Sequence, residues 1–83
     1  MTSRTVRMYA MSDPVDVPIE DDVIRLGQFL KLANLIDSGS EAKTVIAAGL
    51  VRVNDEVEVR RGRQLHVGDV VAIAGHKARV AVA

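Results

Sequence analysis

The chain has 83 residues, enough for one domain with a small stability margin, and its 11 Lys and Arg balance its 11 Asp and Glu, so its formal net charge is zero. A hydrophobic fraction of 48% excludes a fully disordered chain, and the absence of Cys excludes disulfides, thiolate zinc sites and thiol nucleophiles. No apolar stretch reaches membrane-spanning length and the N-terminus lacks a signal-peptide apolar region, so the sequence predicts a cytoplasmic protein without a membrane partner.

The zero total hides an uneven distribution of charge. Residues 1–22 carry two arginines and five acidic residues, a net charge of −3, whereas residues 23–83 carry nine basic and six acidic residues, a net charge of +3. Such asymmetry is a hint of a charged partner, although charge alone favours the simpler explanation of a small, unevenly charged surface.

The N-terminal part of the chain predicts a flexible segment followed by a strand. Residues 1–14 are polar and aperiodic, and residues 15–83 are predicted to form a single domain. Val15, Val17 and Ile19 alternate with polar residues as in a strand, and Pro18 confines that strand to a sheet edge. Asp21–Asp22 offers turn or capping groups before a helix.

Two helices are predicted next. One apolar stripe in the first helix has the i, i+3, i+4, i+7 spacing, with Gly27 weakening that helix and indicating close packing or an imperfect first turn. In the second helix Ser38 and Glu41 have the spacing of a capping box, and Gly49 is a natural helix end. The apolar stripes are Leu26, Phe29, Leu30 and Ala33 in the first helix, and Ala42, Val45 and Ile46 in the second.

The remainder of the chain predicts short strands. Residues 51–53 and 57–59 alternate around a tight turn at Asn54–Asp55. Apolar residues at 65–67, 70–74 and 78–82 predict further strands, with turns at Gly68–Asp69 and Gly75–His76. This order predicts an α+β domain in which two helices pack on one face of a small antiparallel sheet.

The sequence contains no recognisable catalytic or metal-binding motif. His66 and His76 come without the pairing that a metal site needs, and no nucleophile elbow or glycine-rich phosphate loop is present. We therefore predict a protein that is not an enzyme and has no metal or cofactor.

Basic residues carry the functional prediction. Arg60, Arg61 and Arg63 surround Gly62, which permits close approach of a ligand to the backbone. They can share a surface with Lys31, Lys43 and Arg52 and with the positive end of the second helix at Ser40, a set suited to phosphate. A solvated turn would also explain the arginine run. Because no aromatic platform is available for stacking bases, the pattern favours folded RNA over a single strand.

The order and spacing of the motifs resemble the alpha-L RNA-binding motif, also named the S-four-type domain, over residues 25–73. The stretches LGQFLKLA and RRGR are most similar to small stand-alone bacterial members. Gly27, Gly39 and Asp55 replace the Asp, Arg and Gly that many members carry. The motif residues are Arg25, Leu26, Leu30, Leu35, Ser38, Ala42, Ile46, Gly49, Val51, Val53, Asn54, Val67, Gly68 and Asp69.

The resemblance implies a monomeric, non-catalytic module that binds RNA along its helices and basic hairpin, with ribosomal or transfer RNA and the ribosome as the expected partners. The alternative is a protein-interaction adaptor that docks through its charged faces. The residues predicted to contact RNA are Arg25, Gln28, Lys31, Ser40, Lys43, Arg52, Asn54, Arg60, Arg61, Gly62 and Arg63.

Overall fold

A computed structural model describes residues 14–83, so that most of the predicted flexible segment lies outside the described residues. In chain order the elements are β1 (Val15–Ile19), β2 (Val23–Arg25), α1 (Leu26–Leu32), α2 (Gly39–Ala47), β3 (Val51–Val53), β4 (Glu56–Val57), β5 (Gln64–His66), β6 (Val70–Ile73) and β7 (His76–Val82). Five strands form one sheet in the order β1-β7-β6-β3-β4, and β2 pairs with β5 in a separate two-stranded sheet.

The α+β class is confirmed, with one correction to the sheet. The pairs β7–β6, β6–β3 and β3–β4 are antiparallel as predicted, but β1 pairs in parallel with β7, so the sheet is mixed. Parallel strands need a long crossover connection, and here all the other elements lie between the two strands in the chain. Pro18 lies on an edge strand, as its missing N–H requires.

One core joins the helices to the sheet. The first helix buries Leu26, Phe29 and Leu30 of its predicted stripe, while Ala33 packs at the margin of the core. Both helices pack on one face of the sheet, because their buried residues and those of the strands form one cluster. Its members are Ile19, Leu26, Phe29, Leu30, Ile36, Ala42, Ile46, Val51, Val53, Leu65, Val71, Ile73, Ala78 and Val80.

The ends of α2 follow local sequence rules. The Ser38 hydroxyl accepts a hydrogen bond from the N–H of Glu41 at 3.2 Å, as predicted. The Glu41 carboxylate reaches back one residue further than a strict capping box, to the N–H of Asp37 at 2.8 Å. At the other end Gly49 has φ +77°, and the N–H of Leu50 reaches the carbonyl of Val45 at 3.1 Å, which is a Schellman ending.

The start of α1 differs from its prediction. Asp21–Asp22 does not cap the helix, because β2 intervenes and Arg25 occupies the N-cap position without a side-chain hydrogen bond. The first-turn N–H groups of Leu26 and Gly27 donate instead to the carbonyls of Arg63 and Arg61, at 2.8 and 3.1 Å. A loop distant in the chain therefore satisfies the donors that a capping side chain would otherwise take.

Candidate nucleic-acid interface

A cleft of about 570 Å³ lies between the two helices and the loop of residues 60–63. The first helix contributes the N-terminal and outward-facing residues of its first two turns, and the second contributes its first turn. The residues that line the cleft are Arg25, Gly27, Gln28, Lys31, Gly39, Ser40, Ala42, Lys43, Arg61 and Gly62.

The lining is cationic. Arg25, Lys31, Lys43 and Arg61 all face the cleft, and no Asp or Glu of the described residues lines it. Within residues 14–83 none of these four cations lies within salt-bridge distance of a carboxylate. A chain with zero net charge therefore has one concave surface with a local excess of positive charge, and such a surface attracts anions.

Gly27 allows the loop to approach α1 closely. A Cβ atom at this position would lie 2.8 Å from Cγ and 3.4 Å from Cδ of Arg61. Of the two explanations that the sequence offered for Gly27, close packing and an imperfect first turn, the structure supports close packing. The Gly27 N–H also donates to the Arg61 carbonyl, so backbone and side chain of Arg61 both rest on the first turn of the helix.

Glu58 pairs with two arginines of the loop, a contact that the sequence pattern did not predict. Its carboxylate accepts hydrogen bonds from the backbone N–H, Nε and Nη2 of Arg60 at 3.0, 3.0 and 3.2 Å. Nη1 of Arg63 donates a further bond at 2.9 Å. Only 7% of the Glu58 side chain is exposed, because these guanidinium groups cover it at the surface of the molecule. Two of the three arginines in the loop are therefore paired with one carboxylate.

The two arginines set the ionisation of Glu58. Hydrogen bonds from Arg60 first, and then from Arg63, lower its pKa from 4.5 to about 2, against the opposing effect of burial. In turn, the hydrogen bond that Arg60 donates to the Glu58 carboxylate raises the pKa of Arg60. We refer to these three side chains, Glu58, Arg60 and Arg63, as the Glu58 clamp.

A signal for Glu58 was present in the sequence. A two-residue turn at Asn54–Asp55 fixes the pairs Val53 with Glu56 and Arg52 with Val57. The same register brings Glu58 opposite buried Val51, and the Glu58 N–H donates to the Val51 carbonyl at 3.0 Å. Hydrophobicity alone would turn Val57 inward, whereas the register leaves it exposed beside Arg52 and turns Glu58 toward the core.

Comparison with known families matches residues 17–81 to the S4 domain. The chain belongs to the S4 domain family. The family resemblance seen in the motifs of the sequence is thereby confirmed.

Relatives of similar length carry the same domain. This S4 domain is 52% identical over 65 residues to a Bacillus subtilis protein named "Probable ribosome maturation protein RlbA", covering 78% of this chain and 89% of the relative. It is 39% identical over 57 residues to the Escherichia coli "Putative RNA-binding protein YbcJ", covering 69% of this chain and 81% of that relative.

A solved ribosomal protein contains a similar fold. The crystal structure of the 30S ribosomal protein S4e from Thermoplasma acidophilum superimposes with a TM-score of 0.56 and 26% identity. The match covers 72% of this S4 domain but only 32% of the S4e chain, so the shared region is about a third of that protein.

Seven of the eleven predicted contact residues meet in the cleft of this S4 domain, and four lie elsewhere. The members of the cleft are Arg25, Gln28, Lys31, Ser40, Lys43, Arg61 and Gly62. Arg60 and Arg63 belong to the Glu58 clamp, while Arg52 and Asn54 belong to the β3–β4 hairpin. The expected convergence therefore holds for the helices and for Arg61.

Asn54 has a structural role in the S4 domain. Its Nδ2 donates to Oδ1 of Asp69 at 3.1 Å, and its Oδ1 accepts from the N–H of Val70 at 2.9 Å. Partial burial alone would raise the pKa of Asp69, but hydrogen bonds from the N–H of His66 and from Asn54 lower it. Asn54 thus joins the hairpin turn to the turn between β5 and β6, and both ends of its amide are occupied.

The described part of this S4 domain contains neither a group of metal ligands nor a membrane-spanning helix. Among residues 14–83 no group of three or more His, Cys, Asp or Glu side chains is placed to hold a metal ion. In the same residues no helix is both long and apolar enough to cross a membrane.

Proposed function

We propose that this S4 domain is a non-catalytic RNA-binding protein that holds phosphates of a structured RNA in the cleft between its two helices and the loop of residues 60–63. The observation that carries the proposal is that residues 14–83 place four cations and no carboxylate around one concave site. Lysine supplies point charges for phosphates, and arginine adds a planar fork that binds two phosphate oxygens.

The second helix supports phosphate binding at the same place. Gly39 and Ser40 begin α2 and line the cleft, and the first turn of a helix carries N–H groups and a partial positive charge. A Cβ at Gly39 would meet no atom within 4 Å, so the backbone there is open to a close ligand. Lys43 lies one turn further along the same face, where it can reach a neighbouring phosphate.

The chemistry of the cleft favours structured RNA over an unstacked strand. Phe29 is fully buried in the core, and among residues 14–83 no Phe, Tyr or Trp lines the cleft. Without an aromatic platform the site recognises spacing of phosphates, which a folded RNA fixes and a flexible strand does not. The names of the relatives, which refer to ribosome maturation, RNA binding and a ribosomal protein, support RNA as the ligand, with ribosomal RNA as the first class to test.

A salt titration tests the proposal. A stem-loop RNA, an unstructured strand of the same length and a DNA duplex of the stem sequence are each titrated by fluorescence anisotropy at several salt concentrations. If the four cations engage four phosphates, the logarithm of the affinity falls with the logarithm of the salt concentration at a slope of roughly −3 to −4. We expect the stem-loop to bind most tightly.

Variants separate the cleft from general charge. Replacing Lys31 or Lys43 by Ala removes one phosphate contact, so that each variant reduces the slope by about 1. Arg79, which lies 3.2 Å from Asp16 across the β1–β7 pair and outside the cleft, is the control: Arg79→Ala removes a positive charge elsewhere and keeps the wild-type slope. A flat salt response, or equal losses in Arg79→Ala and Lys31→Ala, contradicts the proposal.

A co-purification experiment distinguishes RNA binding from an adaptor that docks protein partners. An RNA-binding protein loses its co-purifying partners when the lysate is treated with nuclease, whereas an adaptor retains them. We further propose that the domain acts as a monomer, and analytical ultracentrifugation of the free protein tests that state.

A further inference from the structure

Three arginines lie within four consecutive positions of one loop, but their surroundings differ. Arg60 and Arg63 both donate to the Glu58 carboxylate, and neither lines the cleft. Arg61 has no carboxylate within salt-bridge distance among residues 14–83, and it lines the cleft beside α1. The fold therefore separates three chemically identical side chains into a paired set and a free one.

Gly27 determines where the free arginine can lie. The backbone of Gly27 is helical and does not have the positive φ that favours glycine, so its conformation would accept any ordinary residue. The surrounding space would not accept a larger residue, because a Cβ atom at position 27 would lie 2.8 Å from Cγ of Arg61, close to the backbone end of that side chain. Because the Gly27 N–H also holds the Arg61 carbonyl at 3.1 Å, the loop cannot retreat without breaking a backbone hydrogen bond.

The Glu58 clamp fixes the other side of the loop. Arg60 bonds Glu58 through its backbone N–H as well as its side chain, which fixes the chain direction immediately before Arg61. The N–H of Leu26 holds the carbonyl of Arg63 at 2.8 Å immediately after Gly62. Arg61 is thus held between two anchored neighbours with its stem against the first turn of α1.

We propose that Gly27 is a positioning residue for RNA binding: together with Glu58 it makes Arg61 the arginine of this loop that binds an RNA phosphate. The inference rests on the proposed function of the cleft. An arginine whose backbone and stem are already held in this way loses less conformational freedom on binding than a fully mobile side chain. It also accepts only a phosphate at a defined distance from those bound by Lys31 and Lys43, which favours a folded RNA.

A double-mutant cycle tests this role with the same stem-loop RNA. We expect Arg61→Ala to weaken binding about tenfold and to reduce the salt slope by about 0.7 to 0.9, the loss of one phosphate contact. Gly27→Ala retains every charge, yet it should weaken binding and reduce the slope nearly as much, because the new methyl group displaces the Arg61 stem. The double variant should bind no more weakly than Arg61→Ala alone, since the two changes remove the same contact.

Two matched variants control for other causes. Gly39→Ala adds a methyl group to the other helix, where it meets nothing within 4 Å, so its effect should add to that of Arg61→Ala without coupling. Arg60→Ala removes the same charge one residue away but keeps the bond from the Arg60 backbone N–H to Glu58 that directs the loop, so it should weaken binding no more than about twofold. The circular dichroism spectrum of Gly27→Ala should match that of the wild type, since Ala favours a helix.

The outcomes are distinguishable. If the wild-type protein does not bind the stem-loop, the proposed function fails and this inference fails with it. If the wild type binds but Gly27→Ala binds equally well, or if its loss multiplies with that of Arg61→Ala, the cleft function stands and the positioning role of Gly27 is overturned. If Arg60→Ala and Arg61→Ala lose equal RNA affinity, the inference that Glu58 leaves Arg61 as the RNA-binding arginine of the loop is overturned.

Discussion

At the scale of single residues, Glu58 explains how the loop tolerates three neighbouring guanidinium groups. Four hydrogen bonds from Arg60 and Arg63 offset the cost of covering a carboxylate and remove most of the repulsion between the arginines. The Arg60 side chain nevertheless remains 73% exposed, so the clamp lies at the protein surface and solvent weakens its charge–charge attraction. The clamp therefore contributes order to the loop more than it contributes stability.

The clamp predicts a specific dependence of stability on pH. The folded-state pKa of Glu58, about 2, lies below its ordinary value of 4.5, so the stabilisation is fully present above pH 4.5 and is lost as the pH falls toward 2. At neutral pH we expect Glu58→Gln to lower the free energy of unfolding by about 1–2 kcal/mol, a value discounted for solvent screening.

Urea unfolding of wild type and Glu58→Gln at a series of pH values measures this effect. The difference between the two proteins should be constant above pH 4.5 and should shrink between that pH and 2, because protonation of Glu58 removes the same charge as the substitution. Comparing the two proteins cancels the titration of the other carboxylates. A difference that is independent of pH over this range contradicts the assignment.

At the scale of elements, the turn of the β3–β4 hairpin is unusual in having Asp rather than Gly at its second position. Asn54 and Asp55 both have positive φ, 52° and 72°, as a two-residue hairpin turn of type I′ requires. Asn tolerates this conformation well, and its side chain is additionally held by Asp69. Asp55 lacks a comparable side-chain contact among the described residues, and Arg52 donates only to its backbone carbonyl, at 3.4 Å.

Asp55 is consequently a position at which a substitution should stabilise the protein. Asp55→Gly removes the steric cost of a positive φ and keeps the carbonyl that Arg52 contacts. We therefore expect the free energy of unfolding to rise by up to about 1 kcal/mol. Asp55→Ala is the control, because it removes the same carboxylate but keeps the unfavourable conformation, and it should destabilise the hairpin. If both variants shift the thermal midpoint in the same direction, charge rather than backbone conformation determines the effect.

The elements that sequence patterns predicted well are those whose signals are local. The Ser38 cap, the Gly49 helix end and the Asn54–Asp55 turn each depend on residues within five positions of one another. By contrast, β2 exists because Val23–Arg25 pairs with Gln64–His66, which are about forty positions away in the chain. Local periodicity carries no information about such a partner, and the same reason hides the parallel pairing of β1 with β7.

The candidate site shows the same difference between features set by local sequence and features set by distant contacts. The chain pattern predicted the cations on the helices, since amphipathic helices expose their polar residues away from the core. It did not separate Arg61 from Arg60 and Arg63, because that distinction depends on where Glu58 points and on how closely residues 60–63 approach Gly27. The register of the hairpin, which pairs Arg52 with Val57 and Val53 with Glu56, decides that Glu58 lies on the same face as Val51 and Val53.

At the scale of the whole molecule, the cleft depends on one shared core. Its walls come from α1, α2 and the loop between β4 and β5, and both helices pack on the sheet through the shared core. The buried side chains of both helices and of the strands form one cluster, so loss of packing at one place loosens all three walls. A small domain of this kind is expected to unfold in a single cooperative step.

Two leucines on α1 provide a matched test of this dependence. Leu30 is 0% exposed in the core, and Leu32, two residues later on the same helix, is 52% exposed. Since Leu and Ala have similar helix propensities, the difference between Leu30→Ala and Leu32→Ala reports burial. We expect Leu30→Ala to lower the free energy of unfolding by about 3 kcal/mol or more, and Leu32→Ala by less than about 1 kcal/mol.

Urea unfolding followed by circular dichroism for the helices, and by the methyl NMR signals of Val71 and Val80 for the sheet, measures both quantities. In each variant the two probes should give the same midpoint, because the helices and the sheet share their buried residues. Leu30→Ala should then lose stem-loop RNA affinity only in proportion to its unfolded fraction, and Leu32→Ala should remain folded under the same conditions. Separate midpoints for helix and sheet would show that the walls of the cleft are stabilised independently, and the cleft could then no longer be treated as one rigid site.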